Sequence, residues 1–192
     1  MNQSQFRRGF KAEAERLSLE LRTELGLSPT DRLDPFILAE HLAIPVKGLR
    51  ELKSAGVSAD AINHFGHRAR DVLSAMTLVQ GSRRLIVVND AHAATRQASS
   101  LSHELSHVVL EHEPHRLLIQ NGCRVWNDEM EKEADWLGGA LLVPREAALL
   151  MARSGVSITE AAARYGVSED MMSWRIQHTG AAIQARRGRV RS

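Results

Sequence analysis

The chain has 192 residues, 43% of them apolar, enough for one ordinary domain or a domain with a small appendage built on its own hydrophobic core. A single cysteine, Cys123, excludes an internal disulfide framework and a cysteine-rich metal site, and suits a cytoplasmic protein. The formal net charge is only +2; no apolar run is long enough to span a membrane, and the polar start around Arg7, Arg8 and Lys11 is not followed by the apolar stretch of a signal peptide, so neither export nor a membrane partner is expected.

From the start, Ala14, Leu17, Leu21 and Leu25 recur at helical spacing, which predicts a helix over about 11–25, closed by Gly26. A loop with Pro29 and Asp31 follows. Asp34 then caps a second helix with Pro35 in its first position, running through Ile37, Leu38 and Leu42. Ile44-Pro45-Val46 reads as a short extended piece. Residues 53–73 carry His64 and His67 three apart, but no acidic or sulfur partner stands out nearby and Gly66 weakens a helix, so a metal site is disfavoured there. Ala75 to Gln80, the turn Gly81-Ser82 and the β-branched run Arg84 to Asn89 read as a hairpin. Its second strand leads through Asp90-Ala91-His92 into the next helix.

That helix carries His103-Glu104-Leu105-Ser106-His107, an HExxH pattern. Residues i and i+4 share one helix face, so both imidazoles can reach a single metal ion, with Glu104 beside it as a base for a metal-bound water. Leu101, Leu105, Val108 and Val109 supply an apolar face beside the histidines; Ser99, Ser100 or Ser102 offer hydroxyls near the start of the segment, and Pro114 stops it. A solvent-facing helix with unligated histidines would show the same five letters, so a third ligand is required. Six residues past His107 stands Glu113 instead of a histidine, and His112 and His115 fit better as cationic decoration of the helix end.

Beyond an irregular stretch through Gly122, a helix from Asn127 or Asp128 to Leu142 offers carboxylates. Glu131 and Asp135 lie one turn apart, with the small residues Ala134, Gly138 and Gly139 allowing close approach to a neighbour. Asp135 can then hold a ligand histidine by its other ring nitrogen. Glu133 is the rival ligand on another side of the helix, and spacing alone leaves both glutamates open. Pro144 ends this helix; a short one follows through Ala147 to Ala152, then Ser157 with Glu160 as a capping box, a turn at Gly166-Val167, and Ser168 capping a last helix to about His178.

Ser102 to Leu110, then Glu131-Lys132-Glu133-Ala134-Asp135, then Ala140-Leu141-Leu142-Val143-Pro144, together resemble the ImmA/IrrE metallopeptidases, as do the strand Leu85 to Asn89 and the segment Asp34 to Leu42. The resemblance implies an α+β fold of helices around a small, mostly antiparallel sheet with a zincin-like HExxH helix. It implies one zinc per chain held by His103, His107 and Glu131, with Glu104 as general base and Asp135 behind the ligands. The implied substrate is a helix-turn-helix repressor or an antitoxin. Leu137 replaces a common phenylalanine, Gly138-Gly139 replaces alanines, and the sensor-like C-terminal domain of longer members has no counterpart.

The expected organisation is a catalytic unit over residues 1–153, a helix pair over 154–180 packed on it, and a basic disordered tail over 181–192 with Arg186, Arg187, Arg189 and Arg191. The helix pair has the rhythm of a helix-turn-helix, and Arg175 adds charge, so the rival reading is a regulatory DNA- or repressor-binding protein with a structural or vestigial zinc site. The second helix is dominated by Met171, Met172, Trp174 and Ile176, an inventory for packing more than for reading base edges. Tyr165 is expected in the core.

Overall fold

The computed structural model describes residues 6–112, 119–120, 123–124 and 128–189. The readings placed on Pro114, His115, Gly122, Asn127 and Arg191 lie outside the described residues. Helix α1 (Phe10–Glu24) buries Phe10, Ala14, Ser18, Leu21 and Arg22. Helix α2 (Pro35–His41) starts as its sequence predicts: the Asp34 side chain accepts from the Phe36 amide, and Pro35 sits where a missing N–H costs nothing. Strand β1 (Val46–Gly48), a 3₁₀ turn (Leu49–Ala55), helix α3 (Ala59–Asn63) and a π-helical turn (His64–Arg68) lead to strands β2 (Ala75–Gln80) and β3 (Arg83–Val88).

The strand order is β1-β3-β2, with β1 parallel and β2 antiparallel to the central β3. The α+β expectation holds, but the sheet is mixed. A parallel neighbour needs no adjacent turn, so nothing local in Val46–Gly48 announces it. Ile86, Val87 and Val88 are almost fully buried, as a continuous β-branched run in a central strand should be.

Helix α4 (Ala94–Val109) turns Leu101, Ser102, Leu105 and Ser106 inward. After the short pair β4 (Ile119–Gln120) and β5 (Cys123–Arg124), helix α5 (Asp128–Leu142) packs along α4. Leu137 and Leu141 of α5 join Phe10, Leu38, Ile86, Leu101 and Leu105 in one core. Its last residue Leu142, with Val143, enters a second core with residues of helices α6 (Arg145–Ser154), α7 (Ile158–Tyr165) and α8 (Glu169–His178). The Ser157–Glu160 capping box, the left-handed Gly166 and the Ser168 cap all stand where the sequence puts them.

Two features differ from expectation. Residues Ala181–Arg189 form a helix, α9, whose Ala181 and Ala185 are buried; alanines four apart give it a flat face that packs on α6. Arg175 is not a surface charge. It is fully buried, donating through Nε to the Val143 carbonyl at 2.7 Å and through Nη2 to Glu15 at 2.5 Å. From α1, Ser18 Oγ donates to the Ala140 carbonyl at 2.7 Å and Arg22 Nη2 to the Leu141 carbonyl at 2.6 Å. A helix leaves its last carbonyls without partners and carries partial negative charge there; these side chains supply both the donors and the positive charge for α5.

Several helices end in a Schellman turn, with a residue at positive φ followed by an amide that bonds to the carbonyl five residues earlier. Gly26 and Gly166 fill that position in α1 and α7, but Ala43 fills it in α2 with φ 54, the Ile44 amide reaching the Ala39 carbonyl at 2.9 Å. An L-residue there costs about 1–2 kcal/mol, against about 0.4–1 kcal/mol for the extra freedom glycine gives the unfolded chain. Ala43→Gly should therefore raise stability by about 0.5–1 kcal/mol, seen as a higher denaturant midpoint at unchanged slope.

Candidate metal centre

His103 and His107 lie one turn apart on α4 with their Nε2 atoms 3.1 Å apart. Glu131 of α5 faces both, with Oε2 3.2 Å from His103 Nε2 and Oε1 3.6 Å from His107 Nε2. The helices can approach this closely because of Gly138. A Cβ there would stand 3.3 Å from the His103 backbone nitrogen and 3.4 Å from its Cα, tighter than ordinary contact. Among the described residues, the group able to hold a metal ion is His103, His107 and Glu131, with ligand atoms all within 4.8 Å of one another. A tetrahedral ion with bonds of about 2.0–2.1 Å separates its ligand atoms by about 3.3 Å, close to the observed spacings.

Charge in the cluster is balanced by a proton. Burial lowers the His103 pKa, but the Asp135 carboxylate, 2.8 Å from Nδ1, together with Glu131 outweighs burial and holds it at about 10. Burial raises that of Glu131, and the two imidazoles outweigh it, taking the carboxyl well below its usual range. A divalent cation held here would take the place of the His103 proton.

Glu104 is half-buried and accepts a hydrogen bond from Thr77 Oγ1 of β2 at 2.5 Å. Thr77 was not visible as a functional residue, since a threonine in a strand is what β propensity alone would give. Glu133, the rival ligand, points elsewhere. It is buried, with Oε1 3.0 Å from Arg7 Nε and Oε2 3.4 Å from His112 Nε2. His112, expected as decoration of the helix end, folds back so that its Nδ1 lies 3.0 Å from His107 Nδ1. Its own pKa is lowered, by burial first and by the neighbouring His107. His64 and His67 are both exposed on the π-helical turn. Tyr165 is buried, its hydroxyl donating to the Thr30 carbonyl at 2.7 Å, which is a core role.

The family model of the IrrE N-terminal-like domain, peptidase M78, matches residues 57–177. The chain belongs to this peptidase family. No curated protein matches it. The IrrE-like region takes in the β2–β3 hairpin, α4, α5 and the helix pair α7–α8, so the sheet edge, the His–His–Glu cluster and Arg175 fall within the match, whereas α1, which also anchors the end of α5, lies before it. The resemblance read from HExxH and ExxAD is borne out at the level of the family, and the cluster in this IrrE-like domain is compatible with a metal ion. Among the described residues, no helix is long and apolar enough to cross a membrane.

Proposed function

We propose that the chain is a zinc-dependent endopeptidase, with His103, His107 and Glu131 holding one zinc and Glu104 acting as general base. The observation that carries this reading is the convergence of two imidazoles and one carboxylate at spacings that suit a tetrahedral ion, with a further carboxylate on the same helix. Two histidines and one glutamate form a known catalytic zinc set. When bound, zinc supplies a Lewis acid that brings the pKa of a water to about 7 and polarises a carbonyl.

The chain's own residues do the rest. Glu104 takes the proton of the attacking water and returns it to the leaving nitrogen. Thr77 holds one carboxylate oxygen of Glu104, leaving the other for the proton. Asp135 fixes the His103 ring by its Nδ1 proton, so that Nε2 offers its lone pair to the ion. Strand β2 is an edge of the described sheet, and an extended peptide can add to it through backbone hydrogen bonds. The substrate we assign, following the family resemblance, is a helix-turn-helix repressor or an antitoxin met in the cytoplasm. Residues 1–153 would form the catalytic unit, with the helix pair 154–180 packed on it.

Metal analysis of purified protein tests the reading. Wild type should hold one zinc per chain, Glu131→Ala should lose it, and Glu133→Ala should keep measurable binding. A folded wild type that takes up no zinc when zinc is supplied would overturn the proposal.

Affinity should also depend on pH. His103 must give up its proton to bind the ion, so zinc affinity should rise about tenfold per pH unit between roughly pH 7 and 9, toward the His103 value of about 10. In the metal-free protein the raised His103 pKa stabilises the fold fully below its unfolded value of about 6.5, and that contribution is lost as pH rises through about 10. Chelator competition and thermal melts across this range check both signs; an affinity flat in pH would remove the proton exchange.

A further inference from the structure

We infer that His112 and Glu133 are positioning residues that brace the ligand His107 through its Nδ1. This rests on the zinc reading above. The geometry begins at the end of α4. Glu111 takes φ 53, unusual for a residue other than glycine, and completes a Schellman turn. Its amide reaches the Val108 carbonyl at 3.0 Å, and the His112 amide reaches the His107 carbonyl at 2.9 Å. In such a turn the sixth residue packs on the first, usually as an apolar contact. Here two imidazoles meet, with ring centroids 5.1 Å apart.

The His112 side chain is only 8% exposed, so its nitrogens need partners inside the protein. They have them: His107 Nδ1 at 3.0 Å on one side and Glu133 Oε2 at 3.4 Å on the other. The proton positions follow from the ligand role. His107 offers the lone pair of Nε2 to the ion, so its proton is on Nδ1 and is donated to His112 Nδ1. The proton of His112 is then on Nε2 and is donated to Glu133. The other Glu133 oxygen accepts from Arg7 Nε at 3.0 Å. Each donor in this chain has an acceptor, and a reversed His112 tautomer would set two N–H groups against each other at His107.

The two ligand histidines are thus oriented differently. His103 has a carboxylate directly on its outer nitrogen. Glu133 lies two positions from Glu131 on α5, on a different side of the helix, and reaches His107 only through the interposed ring of His112. Ligand histidines held this way lose about 10- to 100-fold in metal affinity when the holding group is removed.

Zinc affinity, measured by competition with a chromogenic chelator, tests the inference, with the absorption spectrum of the cobalt-loaded protein as a second readout of ligand geometry. His112→Phe fills the space without an acceptor for His107 and should weaken zinc binding 10- to 100-fold and shift the cobalt bands. Glu133→Leu leaves His112 in place but removes its acceptor, and should move both readouts the same way. Glu133→Gln, whose carbonyl oxygen still accepts, should lose less than tenfold. If wild type binds zinc and His112→Phe and Glu133→Leu bind it as tightly with unchanged cobalt spectra, the brace is overturned and the zinc reading stands. If His112→Phe weakens binding but Glu133→Leu does not, the link to Glu133 is overturned. If wild type binds no zinc, the zinc reading itself fails.

Discussion

Glu104→Gln should keep one zinc per chain and lose at least about 10²-fold in peptide hydrolysis, the low end of a general-base effect. The substitution is nearly isosteric. The amide oxygen still accepts from Thr77 Oγ1, so the side chain stays in place, and the cluster of His103, His107 and Glu131 is untouched. What is lost is a site that can take a proton from water and return it to the departing amine. The comparison needs metal content and turnover on the same sample. Zinc retained with turnover near wild type would sink the assignment of Glu104 as base while leaving the metal site intact.

Arg175→Ala should cost about 3–5 kcal/mol of stability, the range found when one partner of a buried ion pair is removed. Its side chain is fully buried, and Glu15, which it pairs with, is only 16% exposed. Truncation leaves Glu15 Oε1 and the Val143 carbonyl without the arginine donor, and the carboxylate keeps only the Arg145 amide, on Oε2. Arg175→Lys should recover only part of the loss, because one ammonium lacks the fork that reaches both acceptors. Urea denaturation of the metal-free protein measures this. The outcome also decides the rival reading of the helix pair. An arginine facing DNA would be exposed, and its loss would leave stability within about 0.5 kcal/mol while reducing affinity for DNA in a salt-dependent way. That pattern would put Arg175 outside the core.

What could be read from the sequence was local. The Asp34, Ser157 and Ser168 caps, the glycine ends of α1 and α7, and the hairpin at Gly81 each depend on residues within a few positions of one another. The same holds for the i, i+4 histidines. The rest depends on pairs far apart in the chain. Arg7 meets Glu133 across 126 positions, Ser18 meets the Ala140 carbonyl across 122, and Arg175 meets Glu15 across 160. No periodicity marks an arginine as buried when its partner is a carbonyl at the end of a remote helix. Composition instead places it on the surface, which is how Arg175 came to count toward a DNA-facing charge. His112 was missed for a different reason. Its position depends on Glu111 adopting a left-handed backbone, and sequence signals for such turns look for glycine.

Thr77, which holds Glu104, belongs to the strand edge on which an extended peptide would lie. A peptide on that edge would be read like a ruler. Its side chains alternate in direction, and it can slide only in steps of two residues, about 6.6 Å, without turning every side chain over. The exposed Leu78 and Val79 would mark divisions on that ruler. The bond brought opposite Glu104 would then be chosen by pairing register, so an insertion of two residues in a substrate should move the cut by two, and an insertion of one should abolish it.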